Sequence, residues 1–526
     1  MRLLLFIWSV LYASNGLKIL VYQTALSRSH LIYSGSLVDI LADAGHEVHE
    51  LIANWNPTIV DNGTKKATSL RRFTLSKPSS WLKINHFNEP FTANVINYHM
   101  DSREATLHWQ TVAEFCEEML SDKSLILWLR NSNFDAVVST TYDFCAFGLF
   151  HVAAIKPVLG FLATPLSDIV LYVLGISNPA SYTQADSFYP SGNGDEMNFA
   201  QRAYNLYIRT LMQHIYIPRF IAMQDESFHK KFGMEMPSLQ TLFAQMSYLF
   251  VNANELVDYP RPISNKIIFI GGITPNENGQ LPQEYDRILS SHPAGAVLFS
   301  FGSVALTTKM PEHAKQAFLE AFSSFTQFIF IWKFDGPYNE LINISNVYFS
   351  EWLPQKQLLR DSRVKAFITH VGLNSLMEAI NEGVPMIGVP LFADQIHNAG
   401  LIRKRRIGVV LDKRNLTAEN IRNALHEVLL KDCYRQRAKI LSAMIQRNPK
   451  KPSQTFVKYV EFAAQFPNIG EYLQLHSTTL NTVEYFCIDI ILSFIFTIIM
   501  CVYLSIRIVS RIWRQYMPLI IKLKSA

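Results

Sequence analysis

Cysteine is scarce in this sequence, with five residues among 526. Two of the five, Cys487 and Cys501, lie in a long apolar run near the C-terminus, which leaves three for the rest of the chain. Three is an odd number, and no CxxC pair or His/Cys cluster with metal-ligand spacing is present. The sequence therefore predicts neither a disulfide-rich scaffold nor a structural metal site, and it leaves the pairing of Cys116, Cys145 and Cys433 open.

Net charge is also small, at +5. The segment after Ile506 has no acidic residue and carries basic residues equal in number to that net charge. Its basic residues are Arg507, Arg511, Arg514, Lys522 and Lys524. The rest of the chain is near neutral, which argues against nucleic acid as a partner.

Residues 1–16 have the pattern of a secretory signal peptide. Arg2 precedes an apolar run at 3–12, and small residues follow at 13–16, where a signal peptidase could cut. The run is too short to span a bilayer. We expect the mature chain to begin near Leu17, where the pattern of a first core strand starts.

A second apolar run, from Tyr485 to Ile506, is long enough to cross the ~30 Å hydrocarbon core at ~1.5 Å per residue. Asp489 is its only charge and lies one turn from its start. The basic segment 507–526 predicts a cytosolic tail and lumenal domains, because positive residues favour the cytosolic side.

The position of Lys522 and Lys524 near the C-terminus resembles the dilysine retrieval signal of endoplasmic reticulum membrane proteins. We therefore expect a single-pass type I protein of that membrane. In this orientation Asn62, Asn343 and Asn415 are glycosylation acceptors.

Short β-branched and aromatic runs alternate with stretches of helical spacing, which is typical of parallel sheets covered by helices. The predicted strands are 18–23, 48–53, 136–140, 158–163, 248–252, 267–270, 296–301, 328–334, 364–369, 386–389 and 409–412. The polar segment Pro275–Ser291 predicts a boundary between α/β domains at 17–275 and 276–435, followed by helices over 436–484. Two doubly wound domains would place their ligand-binding strand ends across one cleft.

The most specific motif begins with Glu351-Trp352-Leu353-Pro354-Gln355 and continues from Phe367 to Ala399. Within it a strand ends at Thr369, a turn containing Gly372 follows, and Asn374-Ser375 opens a helix. Such a helix start offers free N–H groups and a positive dipole end to a diphosphate. The order and spacing of these residues resemble the donor site of UDP-glycosyltransferases, and the chain is similar to membrane-anchored animal UDP-glucuronosyltransferases.

This resemblance implies a GT-B fold of two Rossmann-like domains, with the helices after 435 packing back on the first domain. It also implies a role for each matching residue. Trp352 would stack on uracil, Gln355 would hold the nucleoside, and Glu378 would accept from the ribose hydroxyls. The phosphates would be held by His370, Gly372, Asn374 and Ser375, the sugar by Asp394 and Gln395, and the diphosphate region would include Ser303 and Arg261. One departure is Val371, where the family has a small residue, and we expect its side chain to crowd the loop and lower donor affinity.

Ser29-His30 matches the family's catalytic base, which takes a proton from the acceptor hydroxyl as its oxygen attacks the anomeric carbon. The family orients this histidine with a carboxylate at the end of a strand, by the logic of a Ser-His-Asp triad. Thr140 stands at that position here and cannot carry the charge. Asp143 or a water network would have to substitute, whereas Asp135 lies at the strand start and is structural.

Aromatic residues are dense over 73–95 and 165–232, which indicates a hydrophobic acceptor pocket or contact with a membrane surface. Three hypotheses stay open at this point. The chain conjugates glucuronic acid from UDP-glucuronate to hydroxyls of small lipophilic compounds, or it transfers another sugar such as glucose, or it is an impaired binder of UDP-sugar or lipophile that regulates active relatives by association. The donor is a substrate and no further cofactor is expected.

Overall fold

The structure is a computed structural model that describes residues 16–84, 89–91, 102–185, 194–273, 279–336 and 344–524. Several predicted features lie partly or wholly outside these residues. They are the signal peptide, parts of the aromatic-rich segments 73–95 and 165–232, the start of the boundary segment at Pro275, the glycosylation acceptor Asn343 and the end of the basic tail.

Strands of the first lobe are β1 (Lys18–Thr24), β2 (Glu47–Ala53), β3 (Ser69–Phe73), β4 (Ala136–Thr140), β5 (Val158–Leu162), β6 (Leu249–Val251) and β7 (Ile267–Phe269). In the described chain they form one parallel sheet in the order β3-β2-β1-β4-β5-β6-β7. Its helices are α1 (Arg28–Asp43), α2 (Ser102–Ser121), α3 (Lys123–Asn131), α4 (Cys145–Val152), α5 (Asp168–Val173), α6 (Phe199–Leu211), α7 (Ile217–Phe232) and α8 (Leu239–Ala244). A π-helical turn, Met212–Tyr216, joins α6 to α7.

Strands of the second lobe are β8 (Ala296–Ser300), β9 (Ile329–Lys333), β10 (Val347–Ser350), β11 (Val364–Thr369), β12 (Met386–Gly388) and β13 (Gly408–Val410). They form a parallel sheet in the order β10-β9-β8-β11-β12-β13 over the described residues. Its helices are α9 (Gln283–Ser290), α10 (Glu312–Ser323), α11 (Gln355–Arg360), α12 (Leu373–Asn381), α13 (Gln395–Arg405), α14 (Ala418–Leu430) and α15 (Asp432–Gln446). The predicted pair of doubly wound α/β domains is confirmed.

Apolar clusters cover both faces of each sheet, because the strands of a parallel sheet are buried on two sides. Two strands, β3 and β10, were not predicted from the sequence. Both are mostly half-buried at sheet edges, and their short sequences, SLRRF and VYFS, contain polar residues that interrupt or end the apolar run.

The chain crosses between the lobes twice. The first crossing lies between β7 and α9. After α15, which bonds to α12 through Ser442 Oγ and the carbonyl of Asn381, the chain returns to the first lobe. There α16 (Pro452–Gln465) buries Phe456, Val460 and Ala463 in the same cluster as Ile19 of β1. A short helix, α17 (Ile469–Tyr472), follows.

Of the three cysteines outside the C-terminal apolar run, two form a disulfide in the described chain. Cys116 of α2 and Cys145 of α4 are bonded, and both are buried in the first lobe. Cys433 is free. The sequence could not choose this pair, because it does not give the packing of α2 against α4.

Residues from Leu475 to the C-terminus form a unit of their own. After a short helix, α18 (Thr482–Tyr485), the helix α19 (Ile488–Lys524) begins, and its segment 488–518 is long and apolar enough to span a membrane. The sequence placed the start of this helix at Tyr485. It begins later because Cys487 adopts a left-handed backbone conformation with φ of 52°.

Candidate active site

The carboxyl edge of the second sheet places the predicted donor residues side by side. The register of β8, β11 and β12 pairs Ser300 with Thr369 and Thr369 with Gly388. The three loops that leave these strands therefore start at one level of the sheet. These loops contain Ser303, His370 with Gly372, and Asp394 with Gln395.

His370 is enclosed by two glycine backbones. A Cβ atom on Gly302 would lie 2.7 Å from His370 Cε1, and one on Gly372 would lie 2.6 Å from His370 Nε2. Gly302 also has a φ of 74°, which favours glycine. Burial and the nearby ammonium of Lys333 lower the pKa of His370 to about 4, so the ring is neutral at physiological pH and available as a hydrogen-bond donor.

The start of α12 has no cap from its own N-cap residue, because Gly372 has no side chain. The amide of Leu373, the first of the helix, donates to the carboxyl of Asp394. Asn374 in the first turn reaches the first lobe, since its Nδ2 lies 3.5 Å from the carbonyl of Ser29 and its Oδ1 accepts from Asn252 Nδ2 at 3.2 Å. The expected phosphate contact of Asn374 is thus accompanied by a bridge between the lobes.

At the nucleoside end of the site, Gln355 contacts Glu378, predicted for the ribose, and Ser375, predicted for the phosphates. Gln355 Nε2 donates to Glu378 Oε2 at 2.7 Å and to Ser375 Oγ at 3.2 Å. Trp352 is 57% exposed, which leaves ring surface for stacking on a base. Its carbonyl accepts from the hydroxyl of Tyr285 at 3.0 Å, so the backbone of this loop is held in place.

The sugar end differs in detail from the prediction. Gln395 Oε1 already accepts from the amides of Leu391 and Phe392, at 2.8 and 3.1 Å, and thus holds its own loop. Its Nε2 makes no hydrogen bond within the described residues and is the group left for a hydroxyl. Asp394 accepts from Asn398 Nδ2 at 2.8 Å, and burial raises the pKa of Asp394.

Asn398 is a site residue that the sequence prediction missed. Its Nδ2 also donates to the carbonyl of Val371 at 2.9 Å, so it joins the loop after β11, which contains His370, to the loop after β12, which contains Asp394. The only available signal was its place one turn after Asp394 in α13, which does not reveal a contact to another loop.

Val371 is fully buried and packs in the apolar cluster that includes Leu376 and Ile402. Its φ of 63° lies in the left-handed region, which branched residues rarely occupy. The departure from a small residue therefore costs backbone strain, of order ~1–3 kcal/mol. Its side chain points into the core, and the predicted loss of donor affinity stays a prediction.

Ser303 is exposed on the loop after β8. Arg261 is half-buried, and its Nη1 lies 3.4 Å from the carbonyl of Leu166, at the carboxyl edge of the first sheet. Its Nε is buried with no hydrogen-bond partner among the described residues. Burial favours the neutral form of Asp258, but His397 and Arg261 outweigh it and hold the pKa of Asp258 at about 2.

His30 lies in the first turn of α1, half-buried, with its ring edge-on to Tyr142 at a centroid distance of 5.4 Å. Its Nδ1 lies 2.7 Å from Ser27 Oγ. Burial lowers the pKa of His30 to about 4, so the imidazole is neutral at physiological pH, as a general base requires.

Asp143 is not joined to His30 by a hydrogen bond or ion pair in the described chain. Its Oδ1 accepts from the amide of Ala146 at 2.9 Å, and its Oδ2 accepts from the hydroxyl of Tyr22 at 3.3 Å. Burial raises the pKa of Asp143 to about 6. The hydroxyl of Thr140 is buried and has no partner within the described residues. Asp135 accepts from the amide of Lys18 at the opposite end of the sheet.

In the part of the chain that the structure describes, no group of three or more His, Cys, Asp or Glu side chains is arranged to hold a metal ion. What the fold does provide is two Rossmann-like domains whose carboxyl edges meet at Ser29 and Asn374. This architecture is that of the GT-B fold.

The chain belongs to the family described as "UDP-glucoronosyl and UDP-glucosyl transferase", whose model matches residues 17–522. UDP-glucosyltransferase 2 of Dactylopius coccus is 28% identical over 93% of this chain and 92% of its own length. UDP-glucuronosyltransferase 1A4 of Oryctolagus cuniculus is 30% identical over 74% of this chain and 70% of its own length. The calicheamicin glycosyltransferase CalG4 has a similar fold, with a TM-score of 0.57 and 17% identity over 86% of this chain and 99% of its own. Membership of this family makes the chain a glycosyltransferase of the hexosyltransferase class, for which a UDP-sugar is the expected donor.

Proposed function

We propose that this protein transfers glucuronic acid from UDP-glucuronate to a hydroxyl group of a small lipophilic acceptor, with inversion at the anomeric carbon. The observation that carries the proposal is the contact between Asn374 and Ser29. It joins the loop expected to hold the diphosphate to the residue that precedes His30. A donor in that loop would present its anomeric carbon near the imidazole.

In the proposed reaction, UDP binds along the edge of the second sheet. Trp352 stacks on uracil, the Gln355 and Glu378 pair holds the nucleoside, and the N-terminus of α12 with the His370 loop holds the diphosphate. Asp394 and the Nε2 of Gln395 bind the sugar hydroxyls. His30 takes the acceptor proton while the acceptor oxygen attacks, and the bond to the diphosphate breaks in a single displacement.

Arg261 favours a donor that carries a carboxylate. Its guanidinium is half-buried and acts on the carboxylate of Asp258, and its Nε has no hydrogen-bond partner within the described residues, which leaves one N–H for a ligand. Bidentate binding of a carboxylate is the interaction for which a guanidinium is best suited. UDP-glucose is the second candidate donor, because a relative of 28% identity is named as a glucosyltransferase.

We also propose that the catalytic domains lie in the lumen of the endoplasmic reticulum and that α19 anchors them. The basic segment after Ile506 supports this orientation. A lipophilic acceptor that partitions into the same membrane would be available to an enzyme anchored there.

The test is UDP release by microsomes that contain the wild type or His30→Ala. UDP-glucuronate and UDP-glucose are each offered with a panel of phenols and steroids. We expect turnover by the wild type and a loss of at least ~10²-fold in His30→Ala. His426→Ala, which changes an exposed histidine of α14, is the matched control and should leave turnover unchanged.

If the wild type releases no UDP with any combination of donor and acceptor but still binds UDP, the transferase assignment is overturned and the impaired binder is favoured. Thr140, which supplies no charge to the histidine, is the observation in favour of that alternative. A preference for UDP-glucose would keep the mechanism and change the sugar.

A further inference from the structure

Ser27 immediately precedes α1 and has the extended backbone of an N-cap residue, with φ of −148° and ψ of 161°. A serine at this position ordinarily accepts a hydrogen bond from an amide in the first turn of its helix. Ser27 makes no such bond. Its Oγ lies instead 2.7 Å from His30 Nδ1 and 2.9 Å from Ser29 Oγ. The hydroxyl that would cap the helix is therefore engaged with the imidazole.

No carboxylate of the described chain occupies this place beside the ring. Thr140 stands where the family is expected to have one, and its hydroxyl has no partner. Both oxygens of Asp143 are engaged with other groups, the Ala146 amide and the Tyr22 hydroxyl. Ser27 is thus the side chain that contacts the Nδ1 of His30.

We propose that Ser27 is the positioning residue of the catalytic histidine and takes the place of the orienting carboxylate. The proposal rests on the proposed function, since it assigns a role beside the general base of that reaction. Ser27 Oγ accepts from Nδ1–H and directs its own proton toward Ser29 Oγ. This arrangement selects the tautomer with a free lone pair on Nε2.

Protons and electron pairs balance in the resulting step. Nε2 of His30 takes the proton of the acceptor hydroxyl, and the acceptor oxygen forms its bond to the anomeric carbon. The bond from that carbon to the diphosphate oxygen breaks, and its electron pair leaves with UDP. The imidazolium then releases the proton to solvent. Ser27 keeps its own proton throughout and exchanges no covalent bond.

A neutral partner fixes the ring but does not offset the charge of the imidazolium. Burial lowers the pKa of His30 to about 4, and no carboxylate raises it. The groups that face the ring are uncharged at physiological pH. They are the hydroxyl of Ser27, which is bonded in turn to Ser29, and the phenol of Tyr142, whose pKa is raised by burial. The nearby carboxylates face the phenols and not the imidazole: Asp394 raises the pKa of Tyr142, and Asp143 raises that of Tyr22.

The test compares four variants of the full-length protein in detergent. In Ser27→Ala we expect kcat to fall about tenfold or more while KM for the donor changes less than about twofold, because orientation of the base is lost and donor contacts are not. Ser27→Thr keeps a hydroxyl and should retain most of kcat. Ser238→Ala is the matched control, since Ser238 does cap its helix by accepting from the amide of Thr241, and it should retain kcat. In Ser27→Asp, a carboxylate beside Nδ1 should raise the pKa of His30 and move the acidic limb of the pH–rate profile to higher pH.

A second readout does not need turnover. In protein labelled with ¹⁵N-histidine, the His30 signal is assigned by its absence in His30→Ala. We expect Nδ1 to carry the proton in the wild type and the two tautomers to mix in Ser27→Ala. An unchanged tautomer with an unchanged kcat in Ser27→Ala overturns the proposal. If the wild type has no activity but the tautomer still changes in Ser27→Ala, the proposed function fails and the positioning role of Ser27 stands.

Discussion

The guanidinium of Arg28 lies over the indole ring of Trp352, with its central carbon 5.0 Å from the ring centroid. Arg28 also pairs with Asp61 at 2.9 Å. Arg28 begins the helix turn that contains His30, and Trp352 is the residue expected to stack on uracil. One turn of α1 therefore contacts the nucleoside end of the site and carries the base for the sugar end.

Removing Arg28 should weaken nucleotide binding. We expect Arg28→Ala to raise the dissociation constant of UDP about twofold to fivefold, because an exposed cation–π contact contributes ~0.5–1 kcal/mol. Isothermal titration with UDP measures the change, and the effect should vanish in a Trp352→Ala background. Tighter binding in Arg28→Ala would show that the guanidinium occupies the ring face that uracil needs.

The glycines around His370 should not tolerate a side chain. Gly302→Ala and Gly372→Ala each place a Cβ within 3 Å of the imidazole. Both should raise the donor KM by about tenfold or more, because the ring must leave its place in the phosphate loop. Gly279→Ala, whose Cβ would meet only the end of the Gln357 side chain at 3.5 Å, is the matched control and should keep the wild-type KM. A normal donor KM in Gly372→Ala would remove His370 from the donor site.

Arg261 should decide the preference between sugars. We expect Arg261→Ala to lower kcat/KM for UDP-glucuronate by about tenfold to a hundredfold, the range for loss of one charged hydrogen bond, and to change kcat/KM for UDP-glucose far less. Initial rates with both donors give this ratio. Arg422→Ala, which removes an exposed partner of Glu320, should leave the ratio unchanged. An equal loss with both donors would place Arg261 at the diphosphate instead of at the carboxylate.

Glu50 should make folding stability depend on pH. It is buried in β2 and accepts from Gln23 Nε2 at 2.5 Å, and burial raises the pKa of Glu50 to about 8. In the unfolded chain it titrates near ~4.3. The folded state therefore binds more protons between these values, so this contribution to stability is complete below about pH 4 and is lost as pH rises toward 8.

Thermal unfolding of the detergent-solubilised protein between pH 5 and 9 measures this effect. We expect Glu50→Gln to flatten the fall of the unfolding midpoint with pH, because the amide stays neutral and can still accept from Gln23. Glu471→Gln, an exposed change, should keep the wild-type slope. A wild-type midpoint that rises across this range would show that Glu50 is ionised in the fold.

Much of the architecture could be predicted from the sequence because a central parallel strand needs a continuous apolar run. The strands β3 and β10 could not, since the first contains two arginines and the second has four residues and ends in a serine. Within the candidate site, the motif assigned Gln355 to the nucleoside, Glu378 to the ribose and Ser375 to the phosphates. The structure brings all three into hydrogen-bonding contact.

The remaining details of the site depend on tertiary contacts. The sequence could not determine which way the loop after β4 bends. That bend allows the carboxyl of Asp143 to accept a hydrogen bond from the hydroxyl of Tyr22. It could not show that the side-chain oxygen of Gln395 accepts from the backbone of its own loop. Nor could it show that Asn398 bonds to Val371 in the neighbouring loop. Ser27 was overlooked because a serine before a helix is expected to be a cap.

The chain passes between the lobes twice, before α9 and before α16, so the sequence of the second lobe interrupts that of the first. The apolar cluster around Ile19 is complete only when Phe456 and Val460 of α16 have packed into it. Because synthesis proceeds from the N-terminus, the first lobe is finished after the second. A chain cut short before Pro452 would leave that part of the first lobe's apolar surface exposed to water.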